Sequence, residues 1–218
     1  MSFDVSSPET PTPCRPVVFL GAGGHARVCL DVFRSVGRDV IGYVAPEPCD
    51  LELPHLGTDD TSTEVLHPGV EAFVAVGNNR VRIGILRRLL ELGISVASCA
   101  SGYSILSASV RLGRGTVVMP GAVVNAGTLL GDGVVVNTSA SIDHDGRVGD
   151  GAHIGPGCHL AGRVDVGEGA FLGIGTLVIP DRTIGPWVTT GAGAVVVADL
   201  LDAGTYSGVP ARLHPPTM

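Results

Sequence analysis

The sequence predicts two kinds of structure in one chain: a small α/β unit built on a parallel sheet, then an all-β coil of six-residue repeats. Three observations carry this. Residues 17–98 alternate short apolar runs with amphipathic stretches, the pattern of a parallel sheet with helical crossovers. From Leu106 to Val195 the chain falls into fifteen hexads in unbroken phase. The composition agrees, since 32 glycines, 44% apolar residues and only 4% aromatics describe an aliphatic core with many tight turns, and the glycines follow no collagen-like period of three.

The opening MSFDVSSPETPTPCRP is rich in Pro, Ser and Thr and reads as a flexible leader over 1–16. It lacks the basic-then-apolar order of a secretory signal. VVFL (17–20) reads as a buried strand and GAGGHA (21–26) as a turn. The next stretch puts Val28, Cys29, Val32, Phe33 and Val36 on one helical face, with Gly37 closing the helix. DVIGYV (39–44) and AFVAV (72–76) read as further strands. NNRVRIGILRRLLELG is a second helix, capped by Asn78 or Asn79, with Val81, Ile85, Leu86 and Leu89 inward and Gly93 as the stop. The α/β unit thus spans 17–100, the coil 101–200 and a tail 201–218.

A period of six matches no helix, and glycine and proline recur throughout it. A short strand and a bend, repeated, does match. The first place is Leu, Val or Ile in fourteen hexads, and the fifth is Ala, Val, Thr or Cys in thirteen, the exceptions being Gly146 and Arg182. If three hexads close one triangular coil, fifteen make five stacked coils of 18 residues, stable only through stacking. This resembles the left-handed parallel β-helix of the hexapeptide-repeat family. Handedness, homotrimeric assembly and active sites in clefts between prisms are what the resemblance implies. The tail GTYSGVPARL (204–213) is similar to the end of acyltransferases of this type.

One hexad departs from the pattern. DHDG (143–146) sets His144 between two carboxylates, and Gly146 replaces the small side chain of the fifth place. Departures from a consistent pattern are where function is expected. Eighteen residues on, one coil later at the same corner, stands Gly162. A base beside a bare backbone N–H is the minimum equipment for acyl transfer. An imidazole can take the proton of an attacking amine or hydroxyl, which contributes about 10²- to 10⁴-fold. A positioned N–H contributes roughly 2.7–4 kcal/mol at the thioester oxygen. No Ser or Cys nucleophile is needed, and Cys158, at a fifth place, reads as packing.

The stretch NTSASIDHDGRVGDGAHIGPGCHLAG (137–162), with FLGAGGHARV, VAVGNNRVR and SGVPARL, is similar to bacterial nucleotide-sugar N-acetyltransferases and sialic-acid O-acetyltransferases. The resemblance implies an acetyltransferase moving acetyl from acetyl-CoA to the amino group of a nucleotide-linked sugar, a 4-amino-4,6-dideoxyhexose. O-Acetylation of sialic acid or a related sugar is its alternative. It implies His144 as general base, Asp145 as its acidic neighbour and the Gly162 N–H at the thioester oxygen. His153 would stand near the acetyl group, and Ile174, Gly191 and Ala192 along the coenzyme A arm. Asn137 would line the subunit cleft, and Asn78 and Arg82 the second loop of the sugar site.

GAGGHA formally matches a dinucleotide fingerprint, but the α/β unit is short and Ala45 stands where an acidic residue would grip a ribose. A packing turn is a second reading. The third has Gly23, Gly24 and His25 lining a nucleotide-sugar pocket, with the helix start favouring an anion. Arg82 would meet a phosphate or be an ordinary exposed helix residue. His159 reads as a surface or interface residue, and the histidine spacings do not suit the zinc site of trimeric carbonic anhydrases on the same scaffold. A non-catalytic trimerisation stalk is the remaining rival. The formal charge of −7 and pI near 5.4 argue against a nucleic-acid partner. No apolar run reaches membrane-spanning length, and five scattered cysteines without a CxxC pair read as reduced thiols in the cytoplasm, not a metal site.

Overall fold

The computed structural model describes residues 14–58 and 64–214, so most of the expected leader lies outside the described residues. The α/β unit is a four-stranded, all-parallel sheet of order β3-β2-β1-β4, with β1 at Val17–Leu20, β2 at Val40–Val44, β3 at His55–Gly57 and β4 at Glu71–Val74. β3 went unforeseen because its one large apolar side chain, Leu56, shows no period.

Helix α1 (Gly24–Ser35) buries Ala26, Cys29, Leu30, Val32 and Phe33, and Phe33 meets Phe19 edge-on and Phe73 at a tilt. Of the expected face Cys29, Val32 and Phe33 are buried, but Val28 and Val36 are about half exposed, and Ala26 and Leu30 are covered in their place, which rotates the stripe. Helix α2 (Asn79–Glu91) is capped by Asn78, whose side chain accepts the Val81 N–H. Of its expected inward residues Leu86 and Leu89 are buried and Ile85 partly so, while Val81 faces out and Ile83 is buried in its place. Gly37 and Gly93 follow the two helices at φ +70° and +71°, the left-handed conformation that glycine adopts at no steric cost.

The rest is a prism of three parallel sheets whose partners stand 18 residues apart, as in Val135↔His153 and Ser141↔His159. One face has eight strands, one six and one five. The coil starts earlier than the hexads, at Cys99–Ala100, and reaches Thr205–Ser207, where an antiparallel Arg212–Leu213 closes the eight-stranded face. First places from Val118 to Thr190 are buried and line the axis; of the two before them, Leu106 is partly covered and Leu112 exposed. Every fourth place from Gly115 to Gly193 has positive φ: nine are glycine, and the others are Ser139, Asp145, Arg163, Asp181 and Trp187.

The α/β unit sits on the eight-stranded face. Val117, Met119 and Val135 of the prism share one core with Cys29, Phe33 and Phe73. That packing buries His153, which would otherwise face solvent.

Candidate active site

The structure distributes the candidate residues over two edges of the prism. The first group occupies the corner between the six- and five-stranded faces. Asp145 adopts φ +57°, a left-handed conformation that Asp tolerates better than most residues. From there its Oδ2 stands 2.9 Å from His144 Nδ1, while Asp143 Oδ1 accepts the His144 main-chain N–H at 2.8 Å. Nδ1–H therefore donates to Asp145 and Nε2 keeps its lone pair. Nε2 lies in the space that a side chain at residue 162 would fill, since a Cβ built on Gly162 falls 2.5 Å from it. The Gly162 N–H donates to no main-chain carbonyl among the described residues. Above this corner Arg163 grips Asp181 through two hydrogen bonds of 2.6 and 2.8 Å, a partnership the sequence did not suggest.

The second group lies on the eight-stranded face and its edge with the six-stranded one. His153 is 8% exposed, and its Nε2 stands 2.9 Å from Asn137 Nδ2. Asn137 Oδ1 accepts the Thr138 N–H, so its amide offers a donor to His153 Nε2 and the histidine proton rests on Nδ1. That Nδ1 is buried with no partner. A buried donor without an acceptor costs free energy, and a ligand oxygen would relieve it. Phe171 packs edge-on to His153 at 5.1 Å, and His25, at the start of α1, lies 6.4 Å away. Burial, reinforced by the Arg82 guanidinium, pulls His25 down to about 4; burial, Arg82 and then His25 pull His153 to about 3. Both imidazoles are neutral at physiological pH.

Along that same edge run Ile174, Ala192 and Gly191, with Ile174 59% exposed and the Gly193 N–H donating to its carbonyl. His159 is exposed on the six-stranded face and bonds Ser141 Oγ. His153 and Gly162, both expected beside one thioester, occupy different edges within one chain.

In the glycine loop, Gly23 caps α1 without a side-chain bond, and Gly23 and Gly24 are exposed with open space where a Cβ would stand. Gly21, by contrast, is sterically required: at φ +103° its Cβ would press on Val76 Cγ2 at 2.9 Å. Arg82 overturns both expectations for it. It is 1% exposed and spends all five N–H donors on Gly133 O, Val76 O, Gly77 O, Asn79 Oδ1 and Gly151 O, leaving none for a phosphate. Asn79, the other capping candidate, does not cap the helix and instead donates to Gly169 O and Ala170 O. No cluster of His, Cys, Asp or Glu placed to hold a metal, and no helix long and apolar enough to cross a membrane, occurs among the described residues.

Residues 16–89 match the family model described as the PglD N-terminal domain. PerB from Caulobacter crescentus, solved with CoA and GDP-perosamine, is 42% identical over 92% of this chain and 97% of its own, with a TM-score of 0.88. The acetyltransferase domain of PglB from Neisseria gonorrhoeae, in complex with acetyl coenzyme A, is 36% identical over 92% of this chain and all of its own, at 0.86. WeeI from Acinetobacter baumannii, 20% identical with a TM-score of 0.80, shares the fold. A two-domain chain with this hexad register, this N-terminal domain and identity of this extent belongs to the hexapeptide-repeat acetyltransferases of the nucleotide-sugar N-acetyltransferase and sialic-acid O-acetyltransferase family.

Proposed function

We propose that the protein transfers acetyl from acetyl-CoA to the amino group of a nucleotide-linked 4-amino-4,6-dideoxyhexose. The carrying observation is the free Nε2 of His144 set over the bare main chain of Gly162, with Nδ1 held by Asp145. The amine nitrogen attacks the thioester carbonyl and passes its proton to Nε2. The developing oxyanion meets the Gly162 N–H, which has no main-chain acceptor to give up. Collapse breaks the C–S bond, and the imidazolium returns the proton to the departing thiolate, giving coenzyme A and the N-acetyl sugar. PerB was solved with CoA and GDP-perosamine and PglB with acetyl coenzyme A, which supports both substrate classes here.

Two edges of one prism cannot form one crevice, so the site is completed by a second copy. The His144 corner of one protomer faces the His153, Asn137 and Ile174 edge of the next, in a closed ring of three. Gly23, Gly24 and His25 then hold the nucleotide-sugar, and Ile174, Gly191 and Ala192 the coenzyme A arm. The reaction runs in the cytoplasm, where the five free cysteines stay reduced.

A panel of nucleotide-linked amino sugars and free sialic acids, incubated with acetyl-CoA and read by mass spectrometry, tests this. Addition of acetyl to an amine of a nucleotide-sugar is expected. Transfer only to a sialic-acid hydroxyl would move the protein to the O-acetylating branch.

A further inference from the structure

Beside the shared apolar core, one buried cation ties the α/β unit to the prism. Arg82 binds Gly133 O and Gly151 O of two successive coils on one side and Val76 O and Gly77 O of the loop after β4 on the other. Asn79, bonded to Arg82 through Oδ1, extends the grip to Gly169 O and Ala170 O of the next coil. Gly133, Gly151 and Gly169 are fourth-place residues at one corner, with φ of +64°, +65° and +64°. None of the guanidinium's partners carries a charge, so carbonyl dipoles alone balance it. Burying a cation this way is costly unless every donor is satisfied. Here every one is.

His25 stands directly beside this junction on the α/β side, with Gly77 packed close to its Cβ, and His153 faces it from the prism. We propose that Arg82 is the positioning residue of the acceptor site, fixing the Gly77–Asn79 loop and His25 in register with His153 so that a sugar held by one domain presents its amine to the other. The inference rests on the reading of an acceptor bridging the two domains. Arg82 touches no reacting atom and acts through the two histidines. Its charge has a second effect, since it opposes protonation of both imidazoles. Together with burial, the larger cause, it preserves the neutral tautomer in which His153 accepts from Asn137 and offers Nδ1–H.

The test compares wild type with Arg82→Lys, which keeps the charge but has three donors for five acceptors, and with Asn79→Ala, which removes the ties to Gly169 and Ala170. The KM for the nucleotide-sugar is expected to rise about 10- to 100-fold in Arg82→Lys, the scale of loss produced by an ångström of misplacement. Coenzyme A affinity by calorimetry should stay within about twofold, because its arm lies on an edge Arg82 does not touch. An unchanged acceptor KM in a folded variant, or coenzyme A affinity falling in step with it, overturns the proposal. If Arg82→Lys does not fold, Asn79→Ala decides by the same two constants. A wild type that acetylates no nucleotide-sugar removes the functional reading instead. The positioning claim then rests on hydrogen exchange: faster exchange at 76–82 with the prism core unchanged supports it, and unchanged exchange there defeats it.

Discussion

Imidazole nitrogens of a single ring do different work when their neighbours differ, and His144 shows how little scaffolding this takes. Asp145 holds one nitrogen, and the missing side chain of Gly162 leaves room for the other. His144→Ala should lower turnover by at least about 10²-fold with coenzyme A affinity retained, measured by steady-state kinetics and calorimetry. Gly162→Ala should be nearly as damaging without unfolding the coil, since the atoms nearest its new methyl are the ring of His144, the end of a half-exposed side chain. Near wild-type turnover in either variant would remove the assignment. His153 and His25 make a different prediction. Their folded-state pKa values lie near 3 and 4, below the unfolded value of 6.5, so between those limits the unfolded chain binds more protons. Stability should fall as pH drops from about 6.5 toward 4, by thermal melting, and His153→Gln should flatten that slope. His144 was legible because its hexad broke a rule. The burial of His153 was not, because a sixth place is covered or bare according to where a separate domain docks.

Among the elements, the hexads were legible at the places where burial repeats. First and fifth places recur as aliphatic or small because they line the axis and its corners. Ile142→Ala at one fully buried first place should cost about 2–5 kcal/mol, seen as a lower denaturation midpoint with an unchanged oligomeric state. The fourth place obeys a backbone rule in place of a burial rule. Nine glycines there were visible in the sequence, but the five other residues at positive φ hid the requirement. Asp145 is one of them, and the strain of that conformation falls where it aims a carboxylate. Helix α2 shows the opposite limit. In sequence Arg82 is one basic residue among several on an amphipathic helix, and its acceptors are carbonyls 51 and 69 residues away. No local pattern could announce such a partnership. The rotated faces of α1 and α2 have a related origin, since each helix meets both the sheet and the prism, and the single-stripe expectation allows for one neighbour only.

At the scale of the whole molecule, the proposed division of the site between two edges makes oligomeric state a functional quantity. Light scattering should give three chains per particle. Mixing His144→Ala with a His153→Asn variant, each inactive alone, should restore roughly a quarter of wild-type turnover, because a heterologous ring recombines intact edges from different chains. No recovery in co-assembled particles would mean that each chain holds a complete site.

A stack of identical parallel rungs has no inherent reason to stop, and its last rung could template another molecule. Here the chain doubles back after Thr205–Ser207, and the two-residue antiparallel segment Arg212–Leu213 leaves a short rim bearing a basic side chain where a flat, adhesive one would otherwise lie. Removing that reversal would be expected to leave the Thr205–Ser207 edge of the eight-stranded face open to pairing with another molecule.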